Sequence, residues 1–267
     1  MIAPDVAAFD RLLAMAGGWL RVITLAPELP GATDLITSVA QAGVIAAVGH
    51  TDATADVTAA AVDAGASHAT HLFNGMRPLH HREPGPVGAL LDRDEVSCEV
   101  IADGVHLHDT AIRLVARAAG PARLVLITDA MAAAGMPDGR YQLGSMRVDV
   151  AGGVARLAAD AGPDGEAGSG ADARSGGEAA PRVPGAIAGS TATMASVVRH
   201  AAAAGLPVID VAAAASTNPA RVLGLAGRTG ALCPGLDADL VVCDEAFGLR
   251  AVMQRGEWVT RSRGPNR

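Results

Sequence analysis

Along residues 20–130, short aliphatic and β-branched runs alternate with alanine-rich stretches whose apolar positions recur at helical spacing. The runs at 20–25, 43–49, 67–72, 97–103 and 123–129 read as strands. The stretches at 33–42, 54–64 and 110–119 read as helices. Gly43, Gly65 and Gly120 stand just beyond them, where a left-handed C-cap residue is wanted. Runs this apolar predict strands covered on both faces, and the strand–helix alternation predicts a parallel α/β sheet or barrel. Polar residues punctuate the C-terminal strand ends: His50, His71, Asp103 with His106, and Asp129. A (β/α) barrel carries its chemistry at that end.

Past residue 139 the pattern changes. Residues 140–157 alternate as a hairpin around Gly152-Gly153, and helices are predicted over 191–204 and 208–215. Between them, 160–184 holds almost no large apolar side chain and is rich in Gly, Ala, Asp and Glu. Such a segment cannot offset its ordering entropy and is expected to be a disordered insertion. Residues 230–260 read as short strands and turns. The expected organisation is a barrel domain over 1–229, interrupted by 160–184, and part of a small β domain with a tail over 230–267.

Composition narrows the chemistry. Half of the 267 residues are apolar but only 2% are aromatic, so the core is built from Ala, Val, Leu and Ile. All 21 basic residues are arginine; the lack of lysine removes Schiff-base chemistry, a P-loop lysine and a carbamylated lysine bridging two metals. A net charge of −7 argues against a nucleic-acid partner held through phosphates. Cys98, Cys233 and Cys243 form no C-x-x-C pair, which suits a reducing compartment. Residues 1–10 carry acids where a signal peptide has bases, and no apolar run reaches membrane-spanning length. The expectation is a cytoplasmic protein with no membrane partner.

Seven of the eight histidines lie between His50 and His108, and imidazole is the commonest ligand for zinc-like metals. His50 and His71 each end a strand, so both can face one mouth. Asp129 ends the apolar run LVLITD, where an unpaired carboxylate is expensive; it is hydrogen-bonded structure or a base beside a metal. Two histidines and an acid at three strand ends favour the catalytic reading. The other histidines take plainer roles: His68 as a satisfied core residue, His80 and His81 as solvated loop residues, His108 as a helix cap. Arg82 is either a surface charge or a fork that grips phosphate or carboxylate.

The strings GHTDA (49–53), ATHLFNGMRPLHHREPG (69–85), IADGVH (101–106) and LVLITDAMAAAGMPDGRY (124–141) resemble the N-acetylglucosamine-6-phosphate deacetylases of the amidohydrolase superfamily. IAGST (187–191), STNPAR (216–221) and GALCPGLDADLVV (230–242) continue the resemblance in order, so that it covers the chain apart from 160–184 and the last few residues. It implies an α/β, (β/α)8 TIM-barrel fold, here with about five barrel strands, plus a remnant of a small β domain. It implies a divalent metal, zinc or iron, on His50 and His71, and Asp129 as the catalytic acid/base. Substrate contacts fall to Asn74, Gly75, Arg82, Asp103, Gly104, Val105, His106, Ile187, Ala188 and Gly189. The implied substrate is a phosphorylated amino sugar, N-acetylglucosamine 6-phosphate, hydrolysed to glucosamine 6-phosphate and acetate by a homodimer whose Arg82 reaches phosphate across the interface.

The chain also departs from that pattern. The family's upstream H-x-E-G-P motif, whose glutamate is a metal ligand, and its G-A-H motif, whose histidine polarises the carbonyl, are both absent. An N-terminally shortened barrel is therefore expected, with weak metal binding and open sheet edges. Three readings stand: a deacetylase, a non-catalytic remnant that associates with a partner chain, or an amidohydrolase acting on another acylamino substrate. The string from Asn74 to Arg82 argues against the third.

Overall fold

The structure, a computed structural model, describes residues 3–158 and 185–261; the expected insertion at 160–184 lies outside the described residues. The chain divides into two compact units, one formed by residues up to Thr128 and from Met194 onward, the other by Asp129–Thr193.

The first unit is built on five parallel strands in sequence order: β1 (Val22–Leu25), β2 (Ile45–Val48), β3 (Ala66–Ala69), β4 (Ser97–Ile101) and β5 (Leu124–Ile127). The connecting helices are α2 (Ala32–Gln41), α3 (Ala55–Asp63), α4 (Gly85–Leu91) and α5 (Asp109–Ala119), with α1 (Val6–Met15) preceding the sheet. The five strands and three helices read from the sequence are all present. Gly43, Gly65 and Gly120 have φ of 72°, 118° and 69°, the left-handed conformation that ends a helix. Beside these stand two helices not anticipated, α1, whose start is fixed by Asp5 accepting from Ala7 and Ala8 N–H, and α4, which follows Pro84. His108 caps α5 through its ring Nδ1, which accepts from Thr110 N–H.

β2 and β5 are apolar on both faces as expected, but β1, β3 and β4 are not. One aligned row, Leu25, Val48, Ala69, Cys98 and Leu124, is buried throughout. The adjacent row, on the opposite face by the two-residue period of a strand, runs Thr24, Ala47, His68 and Ser97. Glu99 continues that face one step along β4. Short strands beside β-branched residues conceal this alternation, because four residues give only two positions per face.

After α6 (Met194–Ala203), α7 (Val208–Ala212) runs through a π-helical turn, Ala213–Thr217, into α8 (Asn218–Val222). Pro219 has no N–H and its ring cannot sit against the carbonyl of residue 215, so the wider turn precedes it. Buried Asn218 donates its side-chain N–H groups to the carbonyls of Pro121 and Leu124, both at 2.7 Å, tying α8 to the start of β5. A separate antiparallel sheet joins β9 (Leu240–Cys243), β10 (Leu249–Gln254) and β11 (Glu257–Arg261).

The second unit is a meander of β6 (Gly139–Leu143), β7 (Met146–Ala151) and β8 (Val154–Leu157), one strand more than the single hairpin expected. Met131, Ala133, Val148, Val150, Ala155 and Ala188 form its core. Asp138 accepts from the N–H groups of Gly152 and Gly153, closing the turn between β7 and β8.

Candidate functional site

The polar strand ends are also where the backbone turns abruptly. His50 follows β2 with φ of 50°, His71 lies two residues past β3 with φ of 29°, and Asp129 lies two residues past β5 with φ of 50°. Side chains larger than glycine rarely adopt positive φ, and such residues cluster at functional sites. In the first unit the two histidines meet. Their Nε2 atoms are 2.9 Å apart, and the rings pack edge to face with centroids 4.5 Å apart. His71 is buried and His50 exposed. Two imidazole lone pairs cannot face each other at that distance without a proton or a cation between them. The pair therefore fits a divalent cation as two of its donors. Among the described residues no third His, Cys, Asp or Glu completes a ligand group with them.

The loop after β3 is knitted to the turn after β2. Thr51 N–H donates to the Gly75 carbonyl, and Arg77 N–H donates back to the Thr51 carbonyl. Arg77 also forks onto Asp52 through two hydrogen bonds of 2.9 and 3.0 Å, which hold that carboxyl below its ordinary range. Glu83 accepts from Ala55 N–H at the start of α3, and this bond chiefly keeps its own pKa low. Glycine is required at two points. A Cβ on Gly49 would lie 2.7 Å from Thr70 Cβ, and one on Gly75 would lie 3.1 Å from His50 Nδ1.

The remaining candidates fall into separate groups. Asn74 turns its amide toward the carbonyls of His71 and Leu72, over long contacts of 3.3 and 3.4 Å. Arg82 is exposed, with Nη1 2.8 Å from the ring of exposed His81. Asp103 closes its own turn, accepting from Val105 and His106 N–H while its second oxygen lies 2.8 Å from His106 Nδ1. Gly104 presses on His200, where a Cβ would come within 2.7 Å of the ring. In the second unit, Ser190 N–H donates to the Asp129 carbonyl and Met131 N–H to that of Ser190, bringing the turn of Ile187, Ala188 and Gly189 beside Asp129. Ala188 packs its methyl into that unit's core and offers its backbone.

Two acids went unnoticed in the sequence. Glu28 accepts from the Thr51 hydroxyl and from Asp52 N–H at 2.8 Å. Glu99 lies 2.9 Å from His68 Nε2 and accepts from His71 N–H. A lone acid inside the apolar run SCEVI was the available signal for Glu99, since such a charge survives burial only with partners.

The amidohydrolase family matches residues 5–259. An N-acetylgalactosamine-6-phosphate deacetylase of Escherichia coli is 39% identical over 254 residues, 95% of this chain and 60% of the relative. An N-acetylglucosamine-6-phosphate deacetylase of Bacillus subtilis is 38% identical, over 89% of this chain and 54% of the relative. Among solved structures, the Mycobacterium smegmatis N-acetyl-D-glucosamine-6-phosphate deacetylase in complex with N-acetyl-D-glucosamine-6-phosphate superposes with a TM-score of 0.82 at 46% identity. That match covers 97% of this chain and 62% of the neighbour. The chain thus spans about 60% of the length of the relatives it matches.

Proposed function

Because the chain belongs to the amidohydrolase family, we propose that it hydrolyses the N-acetyl group of a hexosamine 6-phosphate, with N-acetylglucosamine 6-phosphate as substrate. The observation that carries this reading is the convergence of His50 and His71 Nε2 atoms at the ends of neighbouring parallel strands. The pair would hold a divalent metal, zinc or iron, which supplies Lewis-acid polarisation of the acetyl carbonyl. Asp129 takes a proton from the attacking water and returns it to the amide nitrogen. The carbon–nitrogen bond then breaks to release acetate and the free amine. Arg82, Asn74 and Gly75 hold the phosphate end, where binding energy orients the amide without touching the reacting atoms. Asp103–His106 and Ile187–Gly189 line the sugar. In this reading the enzyme is cytoplasmic and works as a homodimer that takes neither nucleic acid nor membrane as partner. Its two domains are the barrel over 1–229 and the β domain over 230–267.

The test is acetate release by the purified chain loaded with zinc or ferrous iron, on the gluco and galacto 6-phosphates separately. Turnover should be greater on the gluco epimer, and Asp129→Asn should lower it by about 10²- to 10⁴-fold. Arg82→Ala should raise KM by about 10- to 100-fold with kcat little changed. The histidine pair supplies two protein ligands where catalytic zinc sites hold three, which favours a second reading: a chain that binds the phosphorylated sugar without turning it over. Calorimetric binding of the sugar phosphate with no acetate released would select it.

A further inference from the structure

We infer that Glu99 is the positioning residue for His71, holding the histidine's backbone in its left-handed turn, with His68 fixing the carboxylate in place. This rests on reading His50 and His71 as the metal-holding pair. A main chain at φ of 29° on a buried, bulky residue does not persist without external restraint. Glu99 supplies that restraint from the neighbouring strand. Oε2 accepts from His71 N–H at 3.1 Å, while Oε1 lies 2.9 Å from His68 Nε2. The Glu99 carbonyl also accepts from Leu72 N–H at 2.9 Å, so one residue holds the chain on both sides of the His71 peptide.

His68 is 2% exposed, and its Nδ1 has no hydrogen-bond partner among the described residues. A core histidine that satisfies only one nitrogen is poorly explained as packing. It is explained as a donor that orients a carboxylate, whose side chain is itself 19% exposed. Glu28 makes the equivalent contact to the turn after His50, through Thr51 and Asp52. Each of the paired histidines thus sits in a turn gripped by an acid from an adjacent strand or its loop. Glu99 acts through the His71 main chain, and Glu28 through the Thr51 hydroxyl and the Asp52 N–H.

The device is one of shape and hydrogen bonding rather than charge, which sets the test. Cupric ion is titrated into the full chain and followed by electron paramagnetic resonance, where two imidazole nitrogens give a distinct superhyperfine pattern. Wild type should show one such centre, lost in His50→Ala and in His71→Ala. Glu99→Ala should weaken cupric binding by about 10- to 100-fold and reduce the pattern to one nitrogen. Glu99→Gln keeps an oxygen for His71 N–H and an amide for the other His68 tautomer, so it should remain near wild type. If Glu99→Ala does not fold, Glu99→Asp replaces it; that charge is retained but is one methylene too short to reach both partners, and the two-nitrogen pattern should again be lost. A two-nitrogen centre unchanged in the folded variant, Ala or Asp, overturns the inference, as does a loss in Glu99→Gln equal to that variant's. Absence of the centre in wild type instead removes the metal-pair reading beneath it.

Discussion

At Cys98, burial outweighs a nearby positive charge. The thiol lies fully inside β4, and desolvation lifts it from an ordinary 9.0 to about 11 despite the Arg123 guanidinium close by. Below pH 9 the shift changes nothing. Between pH 9 and 11 the unfolded thiol ionises while the native one does not, so stability falls with rising pH, by about 2–3 kcal/mol at most. Urea midpoints measured from pH 8 to 11 should drop more steeply in wild type than in Cys98→Ala. In native protein at pH 8, a thiol reagent should label exposed Cys233 and Cys243 and spare Cys98. Arg123 is 9% exposed and makes no ion pair among the described residues. Its guanidinium donates instead to the carbonyls of Leu90, Leu91, Arg93, Val96, Ala118 and Ala119, closing the ends of α4 and α5 together. Nothing in the one-dimensional pattern distinguishes this from a surface arginine, because the acceptors come from three separate segments. Arg123→Met should cost upwards of about 3 kcal/mol in a denaturant melt. Arg123→Lys should rescue only part of it, since an ammonium has three donors where the fork has five.

For the elements, what was legible is what local chemistry dictates. The glycines past α2, α3 and α5 mark helix ends in the sequence and do so in the structure, and the strand-end polar residues are where they were expected. The end of β1 was read correctly, while the C-terminal ends of β2 to β5 were overread by one to three residues. The two-histidine pair was foreseen as a shared mouth; its edge-to-face packing needed the turn geometry. The gripping acids were not foreseen, since their partners are backbone N–H groups 24 and 28 residues away. Gly49 shows how tightly β2 is seated at this end. Gly49→Ala would force a methyl within 2.7 Å of Thr70 and 2.9 Å of Thr24, whose hydroxyls bond each other at 2.9 Å. That variant should lose about 1–3 kcal/mol of stability and separate the two histidines, read by the melting midpoint and by loss of cupric binding.

On the scale of the whole molecule, the stretch of chain that precedes the first strand exposes large apolar side chains. Leu12, Met15 and Trp19 are 55%, 84% and 83% exposed, and among the described residues β1 pairs on one side only. An unpaired strand edge and large exposed apolar side chains each favour association. Light scattering on the purified chain should show mass rising with concentration, and Trp19→Arg should shift that rise to higher concentration. A constant monomer mass over the same range would contradict it. No helix among the described residues is long and apolar enough to cross a membrane.

The left-handed backbone at His50 and Asp129 has a consequence for anyone selecting on this protein. Both residues are exposed, and a glycine there would relieve about 0.5–1 kcal/mol net, after its own loss of chain entropy. A library screened for heat resistance alone would therefore drift toward glycine or asparagine at the positions where imidazole and carboxylate are presented. The hardiest survivors would be the ones that had discarded the two groups to which we assign the chemistry.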